Sequence, residues 1–227
     1  RYDYLVGKCP LPILIATCRV GECDNHISIY ADQWDGEKVL IREDRNDQYL
    51  RQTVRAIVGA VVETNDALQI AFPSLHTKLE RGVYFVTTQE LGDRWPDYTP
   101  KEREDSICRE HRTVFLMQIG DNLKRSGKPH DGRAPDYDDW SLNGDILMWN
   151  EVLQRSFEIS SMGIRVDEDS MRYQLHARGC DERSELPFHK MLLAGELPLT
   201  IGGGIGQSRL GMLMIGTCHI GEVQASL

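Results

Sequence analysis

Apolar and polar positions divide the 227-residue chain into short segments of differing period. Leu11 to Thr17 is a near-continuous apolar run with Pro10 and Pro12 at its start, the pattern of a buried strand. Ile27 to Trp34 alternates apolar and polar residues and reads as a second strand. From Asp47 to Leu68 the period changes. Leu50, Val54, Ile57, Val58, Val61 and Val62 recur at spacings of three and four, which predicts a helix with one buried face. Val83 to Thr88 is rich in β-branched and aromatic residues and predicts a strand. Lys101 to Arg109 reads as a charged helix, and Val114 to Ile119 as another buried strand. Gly120 to Asn143 is polar and carries Gly127, Pro129, Gly132 and Pro135, so a long loop is expected there.

The remainder predicts paired strands at Ile146 to Asn150 and Arg155 to Arg165, and helices at Asp169 to Arg178 and Pro187 to Ala194. Thr200 to Gly206 is a glycine-rich strand end that leads into a helix over Gln207 to Ile215. No regular βαβ repeat or low-complexity linker is visible. The expected class is α+β, a mainly antiparallel sheet with helices around it in one domain.

Composition narrows the function. The net charge of −9 argues against a nucleic-acid grip, because neutralising phosphates takes a basic face. Lys124, Arg125 and Lys128 cluster in one short loop, as a solvated turn would. The six cysteines, Cys9, Cys18, Cys23, Cys108, Cys180 and Cys218, form no Cys-x-x-Cys pair, so a structural zinc is not expected, and they read as buried structural thiols. No secretory signal opens the chain and no apolar run approaches a membrane span. A reducing cytoplasm is the simplest setting. The start at Arg1 without a Met points to an incomplete N-terminus.

Candidate chemistry concentrates in four places. Arg133 to Trp140 holds Asp136, Asp138 and Asp139, with Asp145 six residues on. Crowded carboxylates repel unless a cation or solvent lies among them, and the interleaved Tyr137 and Trp140 count against a merely solvated loop. Asp145 and Glu158 fall on adjacent predicted strands, where two carboxylates suit Mg²⁺ bridging nucleotide phosphates. Glu158 and Ser160 stand at alternate positions, so one shared side is expected for them. Gly202, Gly203, Gly204 and Gly206 would let a planar ligand lie on bare backbone, and Arg209 just beyond could reach a phosphate or stack on a base. The pattern is neither a Walker loop nor a dinucleotide fingerprint. Gln33 and Asp35, at an expected strand end, suit the ammonium and carboxylate of an amino acid, and Asp24 resembles them more weakly.

Together these segments resemble the ammonia-dependent asparagine synthetases, single-domain relatives of the aspartyl- and asparaginyl-tRNA synthetases. The specific stretches are Arg133 to Trp140, Leu142 to Leu147, Phe157 to Val166 and Thr200 to Leu210, supported by Asp32 to Asp35 and His219 to Gln224. The resemblance implies the class II aminoacyl-tRNA synthetase-like fold and a cytoplasmic homodimer with no membrane and no nucleic-acid partner. It implies an ATP- and Mg²⁺-dependent ligase that joins aspartate and ammonia through β-aspartyl-AMP, releasing AMP and pyrophosphate. Ammonia rather than glutamine is expected, as no glutamine-hydrolysing domain or N-terminal Cys is present. By resemblance, Arg209 serves the nucleotide with Gly204 and Ser161, and Asp145 and Glu158 serve the phosphates and metal. Ser160 lies near substrate, and Gln33, Asp35, Asp138 and Asp24 hold aspartate or receive ammonium. Arg165 clamps phosphate or substrate, and Asp138, Arg165 and Arg209 are the catalytic candidates.

The chain departs from the family pattern between Asn25 and His26, where members carry a long stretch with a phosphate-gripping arginine, and near Ser141 and Leu142, where members carry a loop. Members also have an N-terminal helix that finds no match here. The simplest expectation is one catalytic domain over 1–227 whose sequence joins ordered segments across loops near 25/26 and 141/142. Two other readings share the chemistry in part: the catalytic core of an aspartyl- or asparaginyl-tRNA synthetase, and a non-catalytic paralogue that binds an amino acid or nucleotide.

Overall fold

The computed structural model describes residues 13–18 and 30, for their backbone only, and 31–224. Among these residues seven strands form one sheet: β1 (Ile13–Cys18), β2 (Tyr30–Leu40), β3 (Tyr84–Thr87), β4 (Thr113–Met117), β5 (Asp138–Asn150), β6 (Arg155–Arg165) and β7 (Leu199–Gly206). Their order is β1-β2-β7-β6-β5-β4-β3. Every pairing is antiparallel except β3 with β4. This is the antiparallel-rich sheet that the mixed strand and helix periods predict.

Among the described residues six α-helices surround it: α1 (Asp47–Ala71), α2 (Thr88–Arg94), α3 (Pro100–His111), α4 (Glu168–Ala177), α5 (Pro187–Leu193) and α6 (Gln207–Ile215). The stops and starts have local causes. Asn46 caps α1 by accepting from the Tyr49 amide. Thr99 and Glu102 form a reciprocal capping box at α3, whose first residue is Pro100. Leu50, Val54, Val58, Val61 and Val62 of α1 are buried as their spacing predicts. They pack with Leu213 of α6 against Phe115, Ile146, Phe157, Ile159, Met162 and Ile201 on one face of the sheet. The other face is covered at one end by Leu91 of α2 and Ile107 of α3, over Val114, Leu116, Leu147 and Trp149. Its other end, over β5, β6, β7 and β2, is left to the functional site.

Several expectations change. β2 continues to Leu40, so Gln33 and Asp35 lie inside a strand rather than at its end. The long loop ends at Tyr137, because β5 already begins at Asp138, which pairs with Arg165 of β6, and Asn143 pairs with Gly163. Ser141 and Leu142 lie within that strand, at a register shift between Asp138 and Asn143. α2 begins at Thr88, where a strand end was expected, because Thr87 and Glu90 make a second capping box. Of the cysteines with described side chains, Cys108 is buried, Cys180 is partly buried and Cys218 is exposed, so burial does not extend to all of them.

Candidate active site

The register of four strands builds the floor of the site. Asp35 pairs with Gly204, Gly204 with Ser161, and Ser161 with Asp145. Directly paired residues share a face, so these four form a row across β2, β7, β6 and β5. On the same face Gln33 pairs with Gly206 and Glu37 with Gly202. A Cβ on Gly204 would run into the Asp35 carboxylate, and one on Gly202 into Glu37 and Arg165. The glycines therefore leave space for neighbouring charged groups and keep the floor low.

A cavity of about 450 Å³ stands over this floor, lined by Gln33, Asp35, Arg133, Tyr137, Asp138, Glu158, Ser161, Gly204 and Arg209 among others. The volume suits a small ligand. One end carries amino-acid chemistry. Arg165 lies beneath it and donates to Glu37 at 2.9 and 3.1 Å and also to Asp138. The Tyr137 ring covers the guanidinium at 4.0 Å and its hydroxyl accepts at 3.2 Å. Burial pushes the Asp138 carboxyl above its usual range, against the pull of Arg165. Burial does the same to Asp35, where Arg165 lowers and Glu37 raises. The Asp35 Oδ2 atom is buried with no hydrogen-bond partner among the described residues. An orphaned carboxylate oxygen in a cavity is an acceptor for an ammonium group.

The other end carries phosphate chemistry. Arg209, at the start of α6, donates to the Glu158 carbonyl at 3.2 Å and lies 3.6 Å from its carboxylate. Arg133 pairs with Asp145 across the loop. Burial, reinforced by the Glu158 charge, pushes Asp145 up to about 7, and Arg133 offsets this only in part. Asp145 and Glu158 repel one another although each has an arginine beside it, and two such neighbouring carboxylates suit a divalent cation. No group of three ligating side chains occurs among the described residues, so such an ion would take its remaining ligands from phosphate and water.

Each of the crowded acids has an arginine partner. Asp136 meets Arg183 and His189 at 3.1 Å, Asp138 meets Arg165, Asp139 meets Arg45, and Asp145 meets Arg133. The structure thus gathers Gln33, Asp35, Asp138, Asp145, Glu158, Ser161, Arg165, Gly204 and Arg209 about one floor. Asp24 lies outside the described residues. The shared side expected for Glu158 and Ser160 is corrected. A register shift between Ile146 and Leu147 places Ser160 opposite Ile146 and Glu158 opposite Leu147. The extra residue, Ile159, puts Ser160 on the α1 face and Glu158 on the site face, although Ser160 still borders the cavity. Glu37, Arg133 and Tyr137 went unassigned. Glu37 follows Asp35 at strand spacing, but ending the strand early hid that signal.

Comparison with known proteins decides the family. A family model described as aspartate–ammonia ligase matches residues 2–227. The chain belongs to the aspartate–ammonia ligase family. It is 61% identical to the aspartate–ammonia ligase of Lactobacillus johnsonii, 59% to that of Limosilactobacillus reuteri and 55% to that of Clostridium tetani. These alignments cover 100%, 91% and 100% of this chain, and 68%, 61% and 66% of the relatives. The chain therefore spans about two thirds of their length. Among solved structures it resembles Entamoeba histolytica asparaginyl-tRNA synthetase in complex with asparaginyl-adenylate (TM-score 0.65, 14% identity, 93% of this chain and 50% of that one). It also resembles the aspartyl-tRNA synthetase of the same organism (TM-score 0.65, 15% identity, 93% and 46%). The chain thus has the fold of the class II synthetases, as expected, and neither alternative reading is favoured over membership of the family. No helix among the described residues is long and apolar enough to cross a membrane.

Proposed function

We propose that this site activates the side-chain carboxylate of aspartate with ATP and transfers the activated acyl group to ammonia. The orphaned Asp35 oxygen at one end of a glycine floor, with Arg209, Glu158 and Asp145 at the other, carries the reading. Such a floor can hold an amino acid and a nucleotide end to end. The solved neighbour with a bound asparaginyl-adenylate supports an adenylate on this fold.

In the first step an oxygen of the aspartate side chain attacks the α-phosphorus of ATP. The bond to the β-phosphate breaks, pyrophosphate leaves, and β-aspartyl-AMP remains. Arg209 and Arg133 carry compensating positive charge near the phosphates. Asp145 and Glu158 would hold Mg²⁺, which supplies charge neutralisation at the phosphates. Arg165 anchors a substrate carboxylate, held in place by Glu37, Asp138 and Tyr137, while Gln33 and Asp35 receive an ammonium group. In the second step ammonia attacks the activated carbonyl carbon, and the carbon–oxygen bond to AMP breaks. Ammonium must lose a proton beforehand, and a carboxyl raised by burial, as Asp35 and Asp138 are, is the better acceptor for it. The single-domain, cytoplasmic, homodimeric organisation belongs to the same proposal. A groove lined by Ile57, Ile201 and Ile205, with Trp34 exposed beside it, supports self-association.

The test is incubation with ATP, Mg²⁺, aspartate and ammonium. Equal yields of asparagine and AMP, both dependent on ammonium, are expected. Aspartate-dependent pyrophosphate exchange without asparagine would keep the adenylation and overturn the acceptor.

A further inference from the structure

A second compartment of about 300 Å³ lies next to the site, lined by Lys101, Glu104, Asp131, Asp145, Arg155, Glu158 and Arg209 with apolar neighbours. Glu158 and Arg209 line both spaces, so their pair is the partition between them. Most charges in this lining are already committed. Lys101 donates to Glu104 at 3.1 Å and to the Ser156 hydroxyl at 2.8 Å. Glu104 also meets the buried His130 at 3.2 Å. Asp145 is taken by Arg133, Glu158 by Arg209, and Asp131 accepts from the Gly132 amide.

Arg155 is different. It opens β6, is half-buried, and pairs with Asn150 only through its backbone, while its side chain makes no hydrogen bond, ion pair or ring contact among the described residues. A half-buried guanidinium without an anion gives up hydration and gains nothing in return. Its planar fork matches phosphate oxygens. The opening lies at the phosphate end of the site, behind the two residues assigned to the phosphates.

We propose that this compartment binds the inorganic pyrophosphate released by adenylation, with Arg155 as its principal donor. The proposal rests on the adenylation reading for its purpose. Leaving behind the partition, pyrophosphate would clear the site while the acyl-adenylate stays in place for the second reaction.

Calorimetric titration of sodium pyrophosphate into the chain tests the binding without any turnover. Saturable binding is expected, weakened about tenfold or more in Arg155→Gln, since a charge-assisted hydrogen bond is worth at least that factor. Arg155→Lys should recover part of it, and inorganic phosphate should bind far more weakly. Circular dichroism of each variant checks the fold. Equal pyrophosphate affinity in wild type and Arg155→Gln, or no binding to either, would overturn the proposal. An equal weakening of pyrophosphate and ATP would overturn it as well, placing Arg155 on the substrate's own triphosphate. Aspartate-dependent pyrophosphate exchange is measured separately. If exchange is absent while the titration depends on Arg155, the compartment stands and the adenylation reading falls.

Discussion

At the scale of single residues the site is a set of charges placed against one another. Arg165 joins Glu37 to Asp138 under the Tyr137 ring. Removing one partner from such a buried group leaves the others uncompensated. Arg165→Leu is therefore expected to lower stability by about 3 kcal/mol, measured by urea unfolding, with Asp138→Leu/Arg165→Leu losing less than the sum of the two single changes. Gly204→Ala tests the floor. The added methyl meets Asp35, so adenylate formation should fall at least tenfold while the circular dichroism spectrum holds. Unchanged turnover in that variant would remove the glycine floor from the site. Asp138, Asp145, Glu158 and Arg209 were readable as candidates from residue type and neighbourhood. Glu37 and Arg133 were not, because their roles come from partners 128 and 12 positions away.

At the scale of elements, a loop becomes a precise carrier by being pinned from another element. Residues 120–137 bring Arg133 and Tyr137 to the cavity, and Gln174 of α4, almost wholly buried, holds the end of that loop. Its amide donates to the carbonyls of Pro135 and Asp138 at 2.8 and 3.0 Å, and its oxygen accepts from the Trp140 amide at 2.8 Å. Gln174→Leu leaves those groups unpaired. We expect a loss on the order of 3 kcal/mol from buried polar groups without partners, together with a raised KM for aspartate. Equal KM values would mean that the loop holds its place without α4. The α1 face gives a purely structural contrast. Leu50→Ala should cost about 2–5 kcal/mol as a core truncation and leave KM unaltered. The period of α1 was legible in its apolar residues, whereas the bulge that separates Ser160 from Glu158 carries no local signature.

At the scale of the whole molecule, pH acts on two carboxyl populations in opposite directions. Burial alone would raise Glu104, but the hydrogen bond from His130 and the charge of Lys101 together hold it below its usual 4.5. Its contribution to stability is complete above that unfolded value and is lost as pH falls through the lower folded one. Asp136, held down by His189 and Arg183 against burial, behaves likewise. Site carboxyls such as Asp138 are raised by burial, so they lose stability as pH climbs through the gap between unfolded and folded values. Urea midpoints between pH 7 and pH 3 should therefore drop on the acid side, and Glu104→Gln should shrink that drop. A drop of the same size in the variant would show that Glu104 contributes nothing to it.

The sequence by itself determined the period of most main elements, the antiparallel-rich class and the segments that hold the candidate site residues. Period, capping residues and glycine placement are local properties, written within a few positions of one another. Tertiary structure alone decided which residues meet. Strand register aligned Asp35, Gly204, Ser161 and Asp145 from four separate segments, and one inserted residue at Ile159 chose which of Glu158 and Ser160 faces the site. Cross-strand pairing is settled by the packing of both sheet faces at once, and no short stretch of chain encodes that balance.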